Sequence, residues 1–70
     1  MFKVYYYRAS AKVYLDRTAL YAVDYSIAVD YAMDNASSMP DKRIYIESAI
    51  TGINVISYIN INGIIRSSQH

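Results

Sequence analysis

Hydrophobic positions along this 70-residue chain change period twice, from alternation to a helical repeat and back. Residues 2–8, FKVYYYR, are built from β-favouring types and predict a strand. Alternation then places Phe2, Val4 and Tyr6 on one face and Lys3, Tyr5 and Tyr7 on the other. Residues 9–23 also lean towards strand, but Val13 and Leu15 have one parity while Leu20 and Ala22 have the other. A turn or bulge near Asp16 and Arg17 accounts for that slip, and a second strand ends around Ala22.

Residues 24–36 follow the helical period. Asp24 is placed to cap the N-terminus, and Ile27, Ala28, Tyr31 and Ala32 form an apolar arc extended by Tyr25, Val29 and Ala36. Ser26, Asp30 and Asp34 form a polar stripe on the opposite side, and NASSMPD, with Pro40, stops the helix. Residues 42–50 alternate again, with Ile44, Ile46, Ser48 and Ile50 opposed to Arg43, Tyr45 and Glu47. A turn over 51–54 carries Gly52, and residues 55–61 set Val55, Ile59 and Ile61 against Ile56, Tyr58 and Asn60. Asn62-Gly63 is a strong hairpin signal, because a type I′ turn needs positive φ at both central residues. The final strand runs from Ile64 to about Ser67, leaving residues 67–70 as a loose tail.

The order β-β-α-β-β-β predicts one α+β domain over residues 1–70, with one helix packed on one face of a single antiparallel sheet of four to five strands. A chain of this length buries only roughly 60% of its unfolded surface, so each large apolar residue counts. The hydrophobic share of 54% and charged share of 19% exclude a disordered chain. With no cysteine there is no disulfide framework and no thiolate metal site, which favours an intracellular location. The first ten residues lack the apolar stretch of a signal peptide, and no apolar run approaches a membrane span.

Little in the sequence points to catalysis. The single histidine, His70, is the last residue, and two glycines cannot build a phosphate-binding loop. Asp30 and Asp34 have no visible third group to make an acid–base or metal site of them, so no cofactor and no metal are expected.

Two constellations suit a partner instead. One helix leaves the other sheet face bare, and the outward parity collects Lys3, Tyr5, Tyr7, Arg43, Tyr45, Ile56, Tyr58 and Asn60. Tyrosine and arginine are enriched at interfaces, although tyrosine is also an ordinary strand residue. Such a face could meet a partner protein, a second copy of the chain as a homodimer, or the bases of single-stranded nucleic acid. A net charge of +1 does not by itself favour nucleic acid, so that use would require charge to segregate between faces. The second constellation is the Asp30–Asp34 stripe: like charges four residues apart, one near the negative end of the helix dipole, are locally unfavourable. An acidic ridge of that kind suits a basic groove, although it is also what a plain solvated helix face looks like.

The run YAVDYSIAVDYAMDNA, the A-x-x-x-A spacing of Ala28 and Ala32, the strand RIYIE and the Asn-Gly hairpin together resemble small phage-encoded inhibitor proteins, anti-CRISPR proteins of the type I systems among them. Phage inhibitors of host RNA polymerase with one helix on a small sheet look similar over the first two-thirds. The resemblance lies in layout and carries no binding residues over. It implies a protein in the bacterial host cytoplasm that binds and occludes a host protein or ribonucleoprotein complex without chemistry or membrane contact of its own. The alternative is a small single-stranded nucleic-acid-binding protein using the tyrosine face.

Overall fold

The computed structural model describes residues 1–15 and 24–70. The expected turn or bulge near Asp16 and Arg17, and the continuation of the second strand to Ala22, lie outside the described residues. The elements are β1 (Phe2–Arg8), β2 (Ala11–Tyr14), α1 (Tyr25–Ser38), β3 (Arg43–Ser48), β4 (Asn54–Ile61) and β5 (Ile64–Gln69). All strands join one antiparallel sheet in the order β2-β1-β3-β4-β5, with α1 packed across one face. The α+β architecture is therefore as the periodicities indicate. β1 lies between β2 and β3, so those two strands are parallel to each other and α1 lies on the connection between them.

The core between the layers is made of Val4 and Tyr6 from β1, Ile44 and Ile46 from β3, Ile56 and Tyr58 from β4, and a line of alanines from the helix. Ala28, Ala32 and Ala36 are fully buried at successive turns, which lets the helix backbone approach the sheet closely. Ile27, Tyr25 and Tyr31, expected in the buried arc, instead lie on the shoulders of this seam and remain exposed. Tyr25 meets Phe2 edge-on at 5.3 Å, and the Tyr31 hydroxyl donates to the Leu15 carbonyl at 2.7 Å. Asp24 occupies the N-cap position with an extended backbone, but its side chain makes no capping hydrogen bond.

Two features of the last strands depart from expectation. The pairs Ile44↔Tyr58 and Ile46↔Ile56 set Ile56, Tyr58 and Asn60 on the helix side, not on the open face. Both parities of β4 are apolar, so periodicity alone does not orient it; its register against β3 does. The strand also carries a bulge: Ile46 pairs with Ile56 but Glu47 pairs with Asn54, leaving Val55 as the extra residue. That insertion reverses the parity of Asn54 and turns it towards the open face. The second departure is the expected loose tail. β5 runs to Gln69, and the His70 N–H bonds the Val55 carbonyl at 3.2 Å, so residues 67–70 are part of the sheet.

Candidate functional site

The face of the sheet away from the helix is built by strand parity. β1 contributes Lys3, Tyr5 and Tyr7, and β3 contributes Arg43, Tyr45 and Glu47. β2 adds Lys12 opposite Tyr7 and Tyr14 opposite Tyr5, while β4 and β5 add Ser57, Ile59, Arg66 and Ser68. Five of the residues expected on this face, Lys3, Tyr5, Tyr7, Arg43 and Tyr45, are therefore together. Tyr58 is not: it is 7% exposed in the core beneath the helix, where burial raises its phenol above the ordinary value, and it cannot serve as a contact residue. Asp30 and Asp34 are exposed on the outer side of α1.

Tyr5 is the centre of the face and is itself covered, at 2% exposure. Its ring stacks on Tyr45 with centroids 5.0 Å apart and planes 10° from parallel, while the Lys12 ammonium sits 4.2 Å from its centroid. These two neighbours come from the strands on either side of β1, so both faces of the Tyr5 ring are occupied. Tyr7 and Tyr14 meet it edge-on at 5.7 and 5.8 Å, and its hydroxyl donates to Asn54 Oδ1 at 2.6 Å. The bulge at Val55 is what brings Asn54 within that reach.

The stack continues across the sheet. Opposite Tyr45 lies Ser57, a small residue that leaves a slot, and the His70 ring fills it, 6.0 Å from Tyr45. His70 Nε2 lies 3.0 Å from Ser57 Oγ, and Arg43 Nη1 donates to the same oxygen at 3.0 Å. Ser57 is fully buried under these groups, so the arrangement fastens His70 to the face and does not present a hydroxyl to solvent.

Charge is held in the same layer. Lys12 Nζ donates to Glu47 Oε1 at 2.7 Å, and the Tyr14 hydroxyl donates to Oε2 at 3.2 Å. Glu47 is 5% exposed, and removing either donor would leave a buried carboxylate short of a partner. Lys3, its cross-strand neighbour, lies 5.1 Å from the centre of the Tyr14 ring. Among the described residues the face thus carries Lys3, Lys12, Arg43 and Arg66 against the carboxylate of Glu47. The helix carries Asp30 and Asp34, with Asp24 at its start, and no basic residue. Between the described open face and the helix, basic and aromatic groups thus gather on one side and carboxylates on the other.

Sequence periodicity did not bring Lys12, Tyr14, His70 and Arg66 into this set. The turn that folds β2 back on β1 is Ala9-Ser10, and Ala9 adopts φ 56° where glycine or asparagine is the usual signal. Once that turn is known, Lys12 and Tyr14 follow from the register.

Among the described residues, three groups hold their protons more tightly in this fold than in an unfolded chain. The hydrogen bond to Glu47 raises Lys12, and burial raises Tyr5 and Tyr58. Stability from a raised group is fully present below its unfolded value and is lost as pH climbs through the folded one. The urea midpoint is therefore expected to be flat with respect to these groups between about pH 7 and 9 and to fall above about pH 10. Lys12→Met should remove part of the fall; a midpoint unchanged at about pH 11 would contradict the assignment.

Among the described residues no helix is long and apolar enough to cross a membrane. Comparison with known protein families, with curated proteins and with solved structures finds no match to this chain.

Proposed function

We propose that this chain is a non-catalytic binding protein that occludes a larger bacterial host complex, protein or ribonucleoprotein, in the manner of the small phage inhibitors it resembles, and that it docks through the open sheet face. Its place of action on this reading is the host cytoplasm, in counter-defence or host takeover. The observation that carries the choice of face is the fixed aromatic stack edged by basic groups. Side chains already held by neighbours lose little entropy on docking, and Tyr and Arg are the residue types that dominate interface energetics. Tyr7 and Tyr14, 44% and 42% exposed, and Arg43 are the accessible contacts.

Capture of a partner from host lysate tests this. Tyr7→Ala with Arg43→Ala is expected to weaken capture by about 30-fold, a loss of about 2 kcal/mol, while Asp30→Lys with Asp34→Lys leaves it intact. The opposite pattern would move the contact to the acidic helix stripe.

Segregated charge also favours a second reading, a single-stranded nucleic-acid binder on the same face. The geometry limits it, since both faces of the Tyr5 ring are covered, Tyr45 is stacked on Tyr5, and Lys3 and Lys12 lie over the Tyr14 ring, which leaves Tyr7 as the most open ring for a base. Binding to labelled oligonucleotides whose log affinity falls with log salt by about 0.7 per phosphate contact would support this second reading over the first.

A further inference from the structure

β5 is an edge strand of six residues, and it lacks the usual protection of edges. It has no proline, no lysine and no bulge, and Arg66 is its one charged residue. The other edge, β2, is only four residues long.

The β4–β5 hairpin settles which backbone groups of β5 face outward. Residues flanking a two-residue turn form a hydrogen-bonded pair, here Ile61 and Ile64, and the pattern repeats every second residue. Ile64, Arg66 and Ser68 therefore direct N–H and C=O to β4, and the bond from the His70 N–H to the Val55 carbonyl continues the alternation. Ile65, Ser67 and Gln69 direct theirs away from the sheet. Among the described residues no turn or loop backbone group bonds to these three.

We infer that β5 pairs antiparallel with β5 of a second copy, about a two-fold axis through Ser67 and perpendicular to the sheet. Hydrogen bonding, helix placement and side-chain pairing are all satisfied at that register. Ser67 opposes Ser67 of the second copy and Ile65 opposes Gln69, so every outward donor and acceptor finds a mate, about six hydrogen bonds in all. The opposed residues all lie on the helix side of their own sheets, so both helices stay on one side and the sheet continues through ten strands, five from each copy. On the open side Arg66 opposes Ser68 and Ile64 opposes His70, so no like charges are directly opposed and Ile64, 58% exposed in one copy, gains cover. A register shifted by one residue would put the two helices on opposite sides and mate inward-directed groups with outward ones.

The inference is independent of the proposed function, since pairing at β5 leaves both tyrosine faces open. Sedimentation of the full chain at about 100 µM should show a dimer. Ser67→Lys and Ser67→Glu should each be monomeric at that concentration with an unchanged circular dichroism spectrum, because Ser67 is exposed and its N–H bonds no other described residue. An equimolar mixture of the two variants should restore the dimer, since opposite charges then meet across the axis. A wild-type chain monomeric up to about 1 mM would overturn the inference. So would a dimer indifferent to both substitutions, which would place the contact on another surface.

Discussion

Tyr5→Ala is expected to remove about 3–5 kcal/mol of stability, the range for deleting a buried aromatic ring. A domain of this size has about 4–10 kcal/mol in total, so this one change removes about a third of it or more and should lower the melting temperature by at least about 12 °C. The cost is high for a residue on the face away from the core because the ring is packed on all sides: Tyr45 and Lys12 on its two faces, Tyr7 and Tyr14 on its edges. Tyr5→Phe keeps the ring and forfeits only the hydroxyl bond to Asn54, with an expected loss of about 1 kcal/mol. Tyr7→Ala, at the margin of the stack, should cost less than about 1 kcal/mol. Urea unfolding of the three variants gives the order directly. If Tyr5→Ala cost no more than Tyr7→Ala, the stack would not be a structural unit. The ordering also governs how binding experiments are designed, since loss of binding in Tyr5→Ala would report lost stability and only the marginal residues probe contact.

The second large effect is expected at the helix seam. Ala32 is fully buried midway between Ala28 and Ala36, on the side of the helix that packs on the sheet. Ala32→Leu has no space to enter without lifting the helix, which should cost about 2–3 kcal/mol and lower the melting temperature by about 10–20 °C. Met33→Leu, one residue along on the exposed side, should change it by no more than about 2 °C and serves as the control for altered helix propensity. Equal effects at the two positions would mean that the alanines are not the contact.

The helix and its alanine spacing were legible because a 3.6-residue period and a 2-residue period cannot be confused over a dozen residues. The division of Tyr5, Tyr6 and Tyr7 was legible for the same reason, and Tyr6 is indeed buried with Val4 on the helix side, with Phe2 half-buried beside them. What parity could not convey is that Tyr5, though outward, is covered, because its cover comes from Lys12, Tyr14 and Tyr45 on other strands. Tyr58 was misplaced on physical grounds of the same kind. With isoleucines on both faces of β4, the choice of side rests on pairing with Ile44, a long-range contact that no local pattern encodes. The hairpin at Ala9-Ser10 was hidden because an alanine at positive φ carries no turn signature.

The strand order has a kinetic consequence. β3, β4 and β5 form a meander of consecutive strands, closed in part by the hairpin that pairs Ile61 with Ile64. β1 instead joins β3 through pairs such as Tyr5↔Tyr45, forty positions apart in the chain. Loop-closure entropy delays contacts of that span, so the meander can assemble early while the β1–β2 hairpin and the helix dock onto it late. The tyrosine stack spans that late junction, and the candidate binding face is therefore completed only when the whole fold is.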